Sequence, residues 1–211
     1  MKTKLHLIVA TAVACLGLAA SASAITIKWD FMEHGHNKNL GPVSTFVESG
    51  FSLTAYGWVI SDNKPSSLYS KFDLGDPGET GLGMLKDVGN DHEIDRNHFI
   101  QLDSKITPAG LGLSKMGLGS VQVAENAGVY GSNAIGMLGT WLASIAADGT
   151  VDLTTLPAFR YYNVTTVGRA SKGNVLITSV SATTVPDGGT TALLLGLGLL
   201  GVGGIARRLK A

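Results

Sequence analysis

The sequence predicts an all-β fold, a single β-sandwich or jelly-roll-like domain between two chain ends of different character. Between residues 25 and 183 the apolar runs are short and rich in β-branched and aromatic residues. Glycine is frequent, with 28 in the whole chain, and Gly, Asn, Asp or Pro interrupts nearly every run. Short strands separated by such turn residues are typical of packed antiparallel sheets.

About ten strands are expected in this body. The last of them alternates regularly and is apolar on both faces, which predicts a central strand. A polar joint, residues 181–189, is expected after it. The predicted strands are residues 25–31, 44–47, 51–60, 67–72, 98–102, 120–124, 129–132, 140–146, 158–167 and 175–183.

Two further segments are ambiguous. Residues 109–119 contain four glycines, which favours a loop over a strand or helix. Residues 132–145 have room for one short helix, although their glycine-containing turns favour strands with turns between them.

The N-terminal 24 residues have the three parts of a secretory signal peptide. Lys2 and Lys4 precede an apolar stretch, residues 5–20, and a small-x-small pattern ends at Ala24. This arrangement predicts that signal peptidase cuts between Ala24 and Ile25. The alternatives are a lipoprotein signal modified at Cys15 and an uncleaved N-terminal anchor.

Cys15 is the only cysteine in the chain. If the signal peptide is removed, the mature protein has no thiol, which excludes disulfides, thiol catalysis and cysteine metal sites. The body must then be stabilised by its core, for which its length is sufficient.

The C-terminal segment, residues 184–211, is composed differently from the body. A Pro/Gly motif at residues 185–189 precedes an uncharged apolar run, residues 190–206, and a basic tail, residues 207–211. At ~1.5 Å per residue a helix over this run would be roughly 25 Å long, near the lower limit for a transmembrane helix. The basic residues after it, Arg207, Arg208 and Lys210, are expected to remain on the cytoplasmic side as an anchor.

The motif consists of Val185, Pro186, Asp187, Gly188 and Gly189. With the apolar run and basic end, it resembles a PEP-CTERM-type sorting signal of the VPDSG-CTERM variant, in which Gly188 stands where the signature has Ser. The resemblance implies an exosortase substrate of a Gram-negative cell, held briefly in the inner membrane and then released or transferred to the surface. It also implies a context of exopolysaccharide, biofilm or extracellular matrix. A permanent tail anchor without processing is the alternative.

The net charge of the body limits the kinds of partner that it can bind. Residues 25–185 contain eleven Lys and Arg but fifteen Asp and Glu, a net charge near −4. Because phosphate binding needs a basic surface, a nucleic-acid partner is not expected.

The densest polar region, residues 73–103, is acidic and suggests one cofactor, Ca²⁺. Asp91, Glu93 and Asp95 alternate, so on an extended segment they would point the same way. With Asp87 and Asn90 they could supply the oxygen ligands that Ca²⁺ takes. The alternative is a solvated acidic loop with Glu93 or Asp95 bound to turn amides.

No catalytic residue is assigned, and the protein is not expected to be an enzyme. His34, His36 and His92 have no spacing that requires a zinc site. Ser114 fails the nucleophile-elbow pattern because Met116 occupies the place of its second glycine. A pair of carboxylates for glycoside hydrolysis remains a third possibility after binding or structural roles.

Aromatic residues with a polar tip suggest a binding role. On an exposed sheet face they could stack on sugar rings, although most are expected to pack in the core. Tyr161 and Tyr162 are consecutive, so on a strand only one of them faces the core. A structural or adhesive surface protein is therefore the leading interpretation, with a carbohydrate-binding module as the alternative. These residues are Trp29, Tyr56, Trp58, Tyr69, Tyr130, Trp141, Tyr161 and Tyr162.

Overall fold

The computed structural model describes residues 24–33, 37–76, 79–87, 89–108, 110–122, 125–167, 174–184 and 196. Residues Ile25–Thr184 form one compact unit, whose described part is all-β: two antiparallel sheets, with a 3₁₀ turn at Leu153–Thr155. The two antiparallel sheets confirm that the body is all-β. The signal peptide, the sorting motif, the apolar run and the basic tail lie outside the described residues, except for Ala24 and Gly196.

One sheet has seven strands in the order β11-β8-β13-β6-β5-β2, with β1 also paired to β13. As predicted, the last strand is central, because β8 covers one edge of it and β1 and β6 share the other. The strands are β1 (Thr26–Asp30), β2 (Lys38–Gly41), β5 (Leu68–Lys71), β6 (Gly81–Met84), β8 (Leu111–Gly119), β11 (Gly149–Asp152) and β13 (Leu176–Thr184).

The other sheet has six strands in the order β10-β9-β12-β7-β4-β3. Its strands are β3 (Val43–Glu48), β4 (Phe51–Val59), β7 (His98–Asp103), β9 (Asn126–Ser132), β10 (Thr140–Ile145) and β12 (Tyr161–Val167).

The core is a single apolar cluster formed by the inward faces of both sheets. Alternate residues of each strand contribute to it, as the period of a β-strand requires. The six-stranded sheet supplies Leu53, Ile100, Leu102 and Val164, all fully buried, and the seven-stranded sheet supplies Trp29, Leu82, Met116 and Val180.

Four strands differ from the sequence-based expectation. The predicted loop at residues 109–119 is wrong, because it contains the nine-residue strand β8. Strands β2, β6 and β11 were not predicted, and residues 120–122 are not in a strand. Short or glycine-rich strands lack the alternating pattern that marks a strand in sequence.

The glycines of β6 allow close packing on the outer side of the sheet. A Cβ added at Gly83 would collide with the backbone carbonyl of His92. A side chain at this position would therefore push the β6–β7 connection away from the sheet. This connection carries the acidic residues singled out in the sequence.

The body ends later than the composition suggests. Residues Ser181–Thr184 belong to β13 rather than to a polar joint, so the strand ends directly before Val185. Among the described residues no helix is long and apolar enough to cross a membrane. The predicted span, residues 190–206, is outside that part of the chain apart from Gly196.

Candidate functional site

A cluster of charged side chains lies at one end of the seven-stranded sheet. Lys71 ends β5, Glu79 lies two residues before β6, and Ser120 follows β8. The register brings these ends together, since Lys71 pairs with Gly81 and β13 joins β6 to β8. Glu93 reaches the same end because its neighbour Ile94 exchanges both backbone hydrogen bonds with Val175.

Lys71 and Ser120 each contact both carboxyl groups. The Lys71 Nζ donates to Glu79 Oε2 at 2.6 Å and to Glu93 Oε1. The Ser120 hydroxyl is 2.9 Å from Glu79 Oε1 and 3.1 Å from each oxygen of Glu93. Glu93 is 1% exposed, whereas the side chain of Glu79 is 22% exposed. The cluster is therefore closed around Glu93 and partly open to water at Glu79.

The pKa values of the two carboxyl groups are shifted in opposite directions. Burial raises the pKa of Glu93 to about 8, and the hydrogen bond that the protonated Glu93 donates to Glu79 raises it as well. The hydrogen bond with Glu93 lowers the pKa of Glu79 to about 2, and Lys71 and Ser120 lower it further. Glu93 is thus a neutral acid at pH 7 and Glu79 is a carboxylate. The pKa of Lys71 is raised because the two carboxyl groups outweigh the effect of its burial.

The structure does not gather the five predicted calcium ligands into one site. Asp87 accepts hydrogen bonds from the backbone amides of Asp91 and His92, at 3.0 and 3.1 Å. Asn90 has a positive φ of 59° and His92 one of 64°, so this segment bends and is not extended. Asp91 is exposed, and its carboxylate accepts from the Asn174 amide at 3.3 Å.

Glu93 and Asp95 are buried but point to different partners. Asp95 accepts from the backbone amide of Asn97 at 2.8 Å and contacts His98 Nδ1 at 2.7 Å. Asp87 and Asp95 thus bind turn amides, which is the alternative interpretation of this region. Among the described residues no group of three or more His, Cys, Asp or Glu side chains is placed to hold a metal ion. The calcium prediction receives no support from this geometry.

The histidines and Ser114 are the other residues considered for a chemical role. His34 and His36 lie outside the described residues. His92 Nδ1 is 3.1 Å from the Leu85 carbonyl oxygen, and its ring lies 4.0 Å from the ring of Tyr69. Ser114 is buried on β8. These positions give no zinc site or activated serine within the described chain.

Side chains on the outer face of the six-stranded sheet form a row across five strands. In register they are Tyr56, Gln101, Asn163, Tyr130 and Trp141. Trp141 is 57% exposed, whereas Trp29 and Tyr162 are in the core. The prediction that only one of the two consecutive tyrosines faces the core is confirmed, since Tyr161 is half-buried on the outer face.

The middle of this row is covered by the β9–β10 loop, residues 133–139. Gln101 donates to the carbonyls of Ala134 and Met137 at 3.3 Å and accepts from the Gly136 amide at 2.9 Å. Asn163 donates to the carbonyls of Met137 and Leu138, at 3.3 and 2.7 Å. Both side chains are fully buried, so they fix the loop backbone on the sheet. Beside the exposed Trp141, the loop presents Ile135 and Met137 to solvent, 52% and 49% exposed.

A second aromatic group lies on the other side of this loop. The rings of Tyr56 and Tyr161 meet edge to face at 6.4 Å, and the Arg160 guanidinium lies 5.3 Å from the Tyr161 ring. Arg160 also donates to Asp103 at 2.7 Å. Together these residues offer an aromatic surface with hydrogen-bonding groups beside it, which is the combination that sugars bind.

A cavity of about 250 Å³ lies between the sheets next to strands β2 and β3. Phe31, Leu40, Phe46 and Leu82 supply apolar walls, and Lys38, Ser44 and Ser70 supply polar groups. Its volume is below the range usual for pockets that enclose drug-sized ligands.

The two ends of the body meet where strands β1 and β13 of the seven-stranded sheet lie side by side. Ile25 donates its backbone N–H to the Thr184 hydroxyl at 3.1 Å, and the Thr184 amide donates to the Ile25 carbonyl at 2.9 Å. Beyond them β1 pairs with β13 from Thr26–Thr183 to Asp30–Ser179. The predicted signal-peptide cut and the start of the sorting motif therefore adjoin the same pair of strand ends.

Sequence reasoning found Glu93 but missed Lys71, Glu79 and Ser120 as its partners. Glu79 lies in the acidic region singled out, but nothing in the sequence pairs it with a lysine of β5 or a serine after β8. The sheet register makes those contacts, and it depends on β6 and β8, which were not predicted.

Comparison with curated proteins and with solved structures finds no significant match. One family model matches, described as the VPDSG-CTERM motif, over residues 184–209. The match starts at the last residue of β13, so it covers the segment that follows the folded body. The C-terminal segment of this chain is thus a PEP-CTERM-like sorting signal of the VPDSG-CTERM type.

Proposed function

We propose that this chain is an exported β-sandwich protein that an exosortase sorts, and that its body has a structural or adhesive role at the cell surface or in an exopolysaccharide matrix. The observation that carries the proposal is the VPDSG-CTERM match at residues 184–209, directly after the last strand. Signal peptidase and the exosortase are the processing partners, and the inner membrane holds the precursor transiently.

Two properties of the body suit a protein that works outside the cell. Without residues 1–24 it contains no cysteine, so its fold is independent of the redox state of its surroundings. Its described part is an all-β unit whose two ends are hydrogen-bonded to each other. A fold closed in this way keeps its core intact while a C-terminal segment is removed.

The sorting signal can be tested by substitution in the native host. Pro186→Ala combined with Asp187→Ala alters the motif and leaves the apolar run and the basic tail intact. We expect the variant to accumulate as a longer form in the inner membrane, while wild type reaches the surface or the medium. Lys210→Arg keeps the positive charge and is the matched control. Normal release of the motif variant would contradict exosortase sorting.

A carbohydrate-binding role is the second candidate, favoured by the exposed Trp141 beside Tyr130. Its indole face is available for stacking on a sugar ring. Binding to a glycan array that is lost in Trp141→Ala would support this role. Binding to no glycan would leave the structural role.

A hydrolase is less well supported. Glycoside hydrolysis by paired carboxylates uses separations of about 5–10 Å. Glu79 and Glu93 both contact Lys71 Nζ and the Ser120 hydroxyl, so their carboxyl groups lie closer together than that. This pair leaves no room for a sugar or an attacking water between its carboxyl groups.

A further inference from the structure

The cluster around Glu93 contains each group that amide formation requires. An amine, Lys71 Nζ, contacts the carboxyl group of Glu93. A second carboxyl group, Glu79, lies 2.6 Å from the same nitrogen, and the Ser120 hydroxyl lies 3.1 Å from both oxygens of Glu93. We propose that Lys71 and Glu93 condense into an intramolecular amide that crosslinks the end of β5 to the β6–β7 connection.

The protonation states support this chemistry. An ionised carboxylate is a poor electrophile, but Glu93 is neutral at pH 7 because its pKa is raised to about 8. Glu79 is ionised, with its pKa near 2, and can accept a proton from the nitrogen that it already contacts. The Ser120 hydroxyl is placed to donate to the Glu93 oxygen that gains negative charge.

The step balances without an added reagent. The Lys71 ammonium first loses one proton to water, and the resulting amine attacks Cδ of Glu93. The Nζ–Cδ bond forms, the Cδ–OH bond breaks, and the departing hydroxyl receives a proton through Glu79 and leaves as water. The proton that Glu79 passes to the hydroxyl comes from the nitrogen after its attack, so the product is a neutral amide, Glu79 is again a carboxylate, and nothing is oxidised or reduced.

The fixed contact between Lys71 and Glu93 makes their condensation feasible in water. Groups held in contact in a fixed geometry react with effective concentrations of about 10⁵ M or more, which favours ring closure over hydrolysis. Glu93 is 1% exposed, so water has little access to the new bond. The Lys71 ammonium is stabilised by its partners, since its pKa is raised, and the reaction is therefore slow. It needs to occur only once in the lifetime of each molecule.

The crosslink would give a cysteine-free body a covalent tie. Lys71 and Glu93 are 22 residues apart, and the amide would close the loop between them. By restricting the unfolded chain, such a closure stabilises the fold in the way that a disulfide does. The predicted calcium region would then be fixed by a bond between side chains instead of a metal.

Tryptic mapping of the purified full-length chain tests this directly. Trypsin does not cut after an acylated lysine, so residues 39–86 stay uncut at Lys71 and remain linked to residues 87–96, which contain Glu93. We expect one linked species, lighter by one water, about 18 Da, than the sum of its two peptides. Separate peptides ending at Lys71 and spanning residues 87–96, recovered in full, would overturn the proposal and leave a buried ion-pair cluster.

Variants identify the participants. Lys71→Arg keeps the charge and should abolish the linked species, and Glu79→Gln should slow its appearance at least tenfold. Glu93→Gln can form the same product by losing ammonia in place of water, so a linked species of wild-type mass is expected from it. Lys115→Arg, on the exposed side of β8, is the control and should leave the crosslink unchanged. A linked species that persists in Lys71→Arg would exclude Lys71 as the nucleophile.

Discussion

The pKa of Glu93 is raised to about 8 because burial and the neighbouring Glu79 both oppose its ionisation. Protonation therefore controls the proposed condensation. Below pH 8 Glu93 stays neutral, and the reactive amine fraction of Lys71 grows about tenfold per pH unit. Above pH 8 Glu93 loses its proton, so the gain in free amine is cancelled.

The rate of crosslinking should thus rise from pH 5 to about pH 8 and then level off. The measurement follows the linked tryptic species after full-length chain, isolated unfolded, is returned to native buffer at each pH. A rate that falls steadily from pH 5 upward would show that the amine is not the group whose deprotonation limits the reaction.

One tryptophan is buried and another is exposed, and substituting each in turn distinguishes a role in folding from a role in binding. Trp29 is 3% exposed in the core and Trp141 is 57% exposed on the outer face. We expect Trp29→Ala to lower the free energy of unfolding by about 3–5 kcal/mol, and Trp141→Ala to change it by about 0.5 kcal/mol or less. Denaturant unfolding of both variants measures this. A large loss of stability in Trp141→Ala would mean that its indole packs against the fold and is unavailable to a ligand.

At the scale of elements, the β9–β10 loop is fixed by side chains of the strands beneath it. Gln101 makes three hydrogen bonds to the loop backbone and is fully buried. We expect Gln101→Leu to cost about 1–3 kcal/mol, since buried loop carbonyls lose their donor. Ser144→Ala on exposed β10 is the control. Faster hydrogen exchange confined to residues 133–139 would locate the effect, and an unchanged exchange rate there would contradict the role of Gln101.

The strand pattern shows what a sequence can predict of these elements. Strands β1, β3, β4, β5, β7, β9, β10, β12 and β13 were predicted because their apolar residues alternate or are β-branched. Strand β8 was missed because glycine signals a break in sequence, whereas Gly117 serves close packing here. A Cβ at Gly117 would meet the hydroxyls of Ser179 and Thr178 on β13, at 2.5 and 2.7 Å.

The candidate cluster was predictable only in part for a related reason. The acidic density that marked Glu93 is a local property of the sequence. Its partners come from the end of β5 and the residue after β8, and only the antiparallel register of four strands brings them together. Asp95 and Asp87 bind turn amides because the segment bends at Asn90 and His92, which alternation alone does not reveal.

At the scale of the whole molecule, the folded unit is complete at Thr184. A chain ending at Thr184 should therefore keep the unfolding temperature of the longer protein within a few degrees. A chain ending at Ser179 loses most of the pairing of β13 with β1 and with the start of β8, so we expect it to unfold at ordinary temperature. Thermal unfolding of the two chains measures this. Equal stability of both would show that the end of β13 is dispensable.

The same strand end limits where the sorting cut can fall. A protease needs an extended, unpaired segment, and Thr184 is hydrogen-bonded to Ile25 and paired with Leu111. The cut should therefore lie at or after the Thr184–Val185 bond. Both ends of the mature protein would then lie side by side, at the start of β1 and the end of β13.

The terminal peptides of the protein recovered from the cell surface or medium show whether both cuts occur. We expect an N-terminus at Ile25 and a C-terminus at or after Thr184, without residues 190–211. Full-length chain in the cytosol, with residues 1–24 and the basic tail still attached, would contradict this expectation.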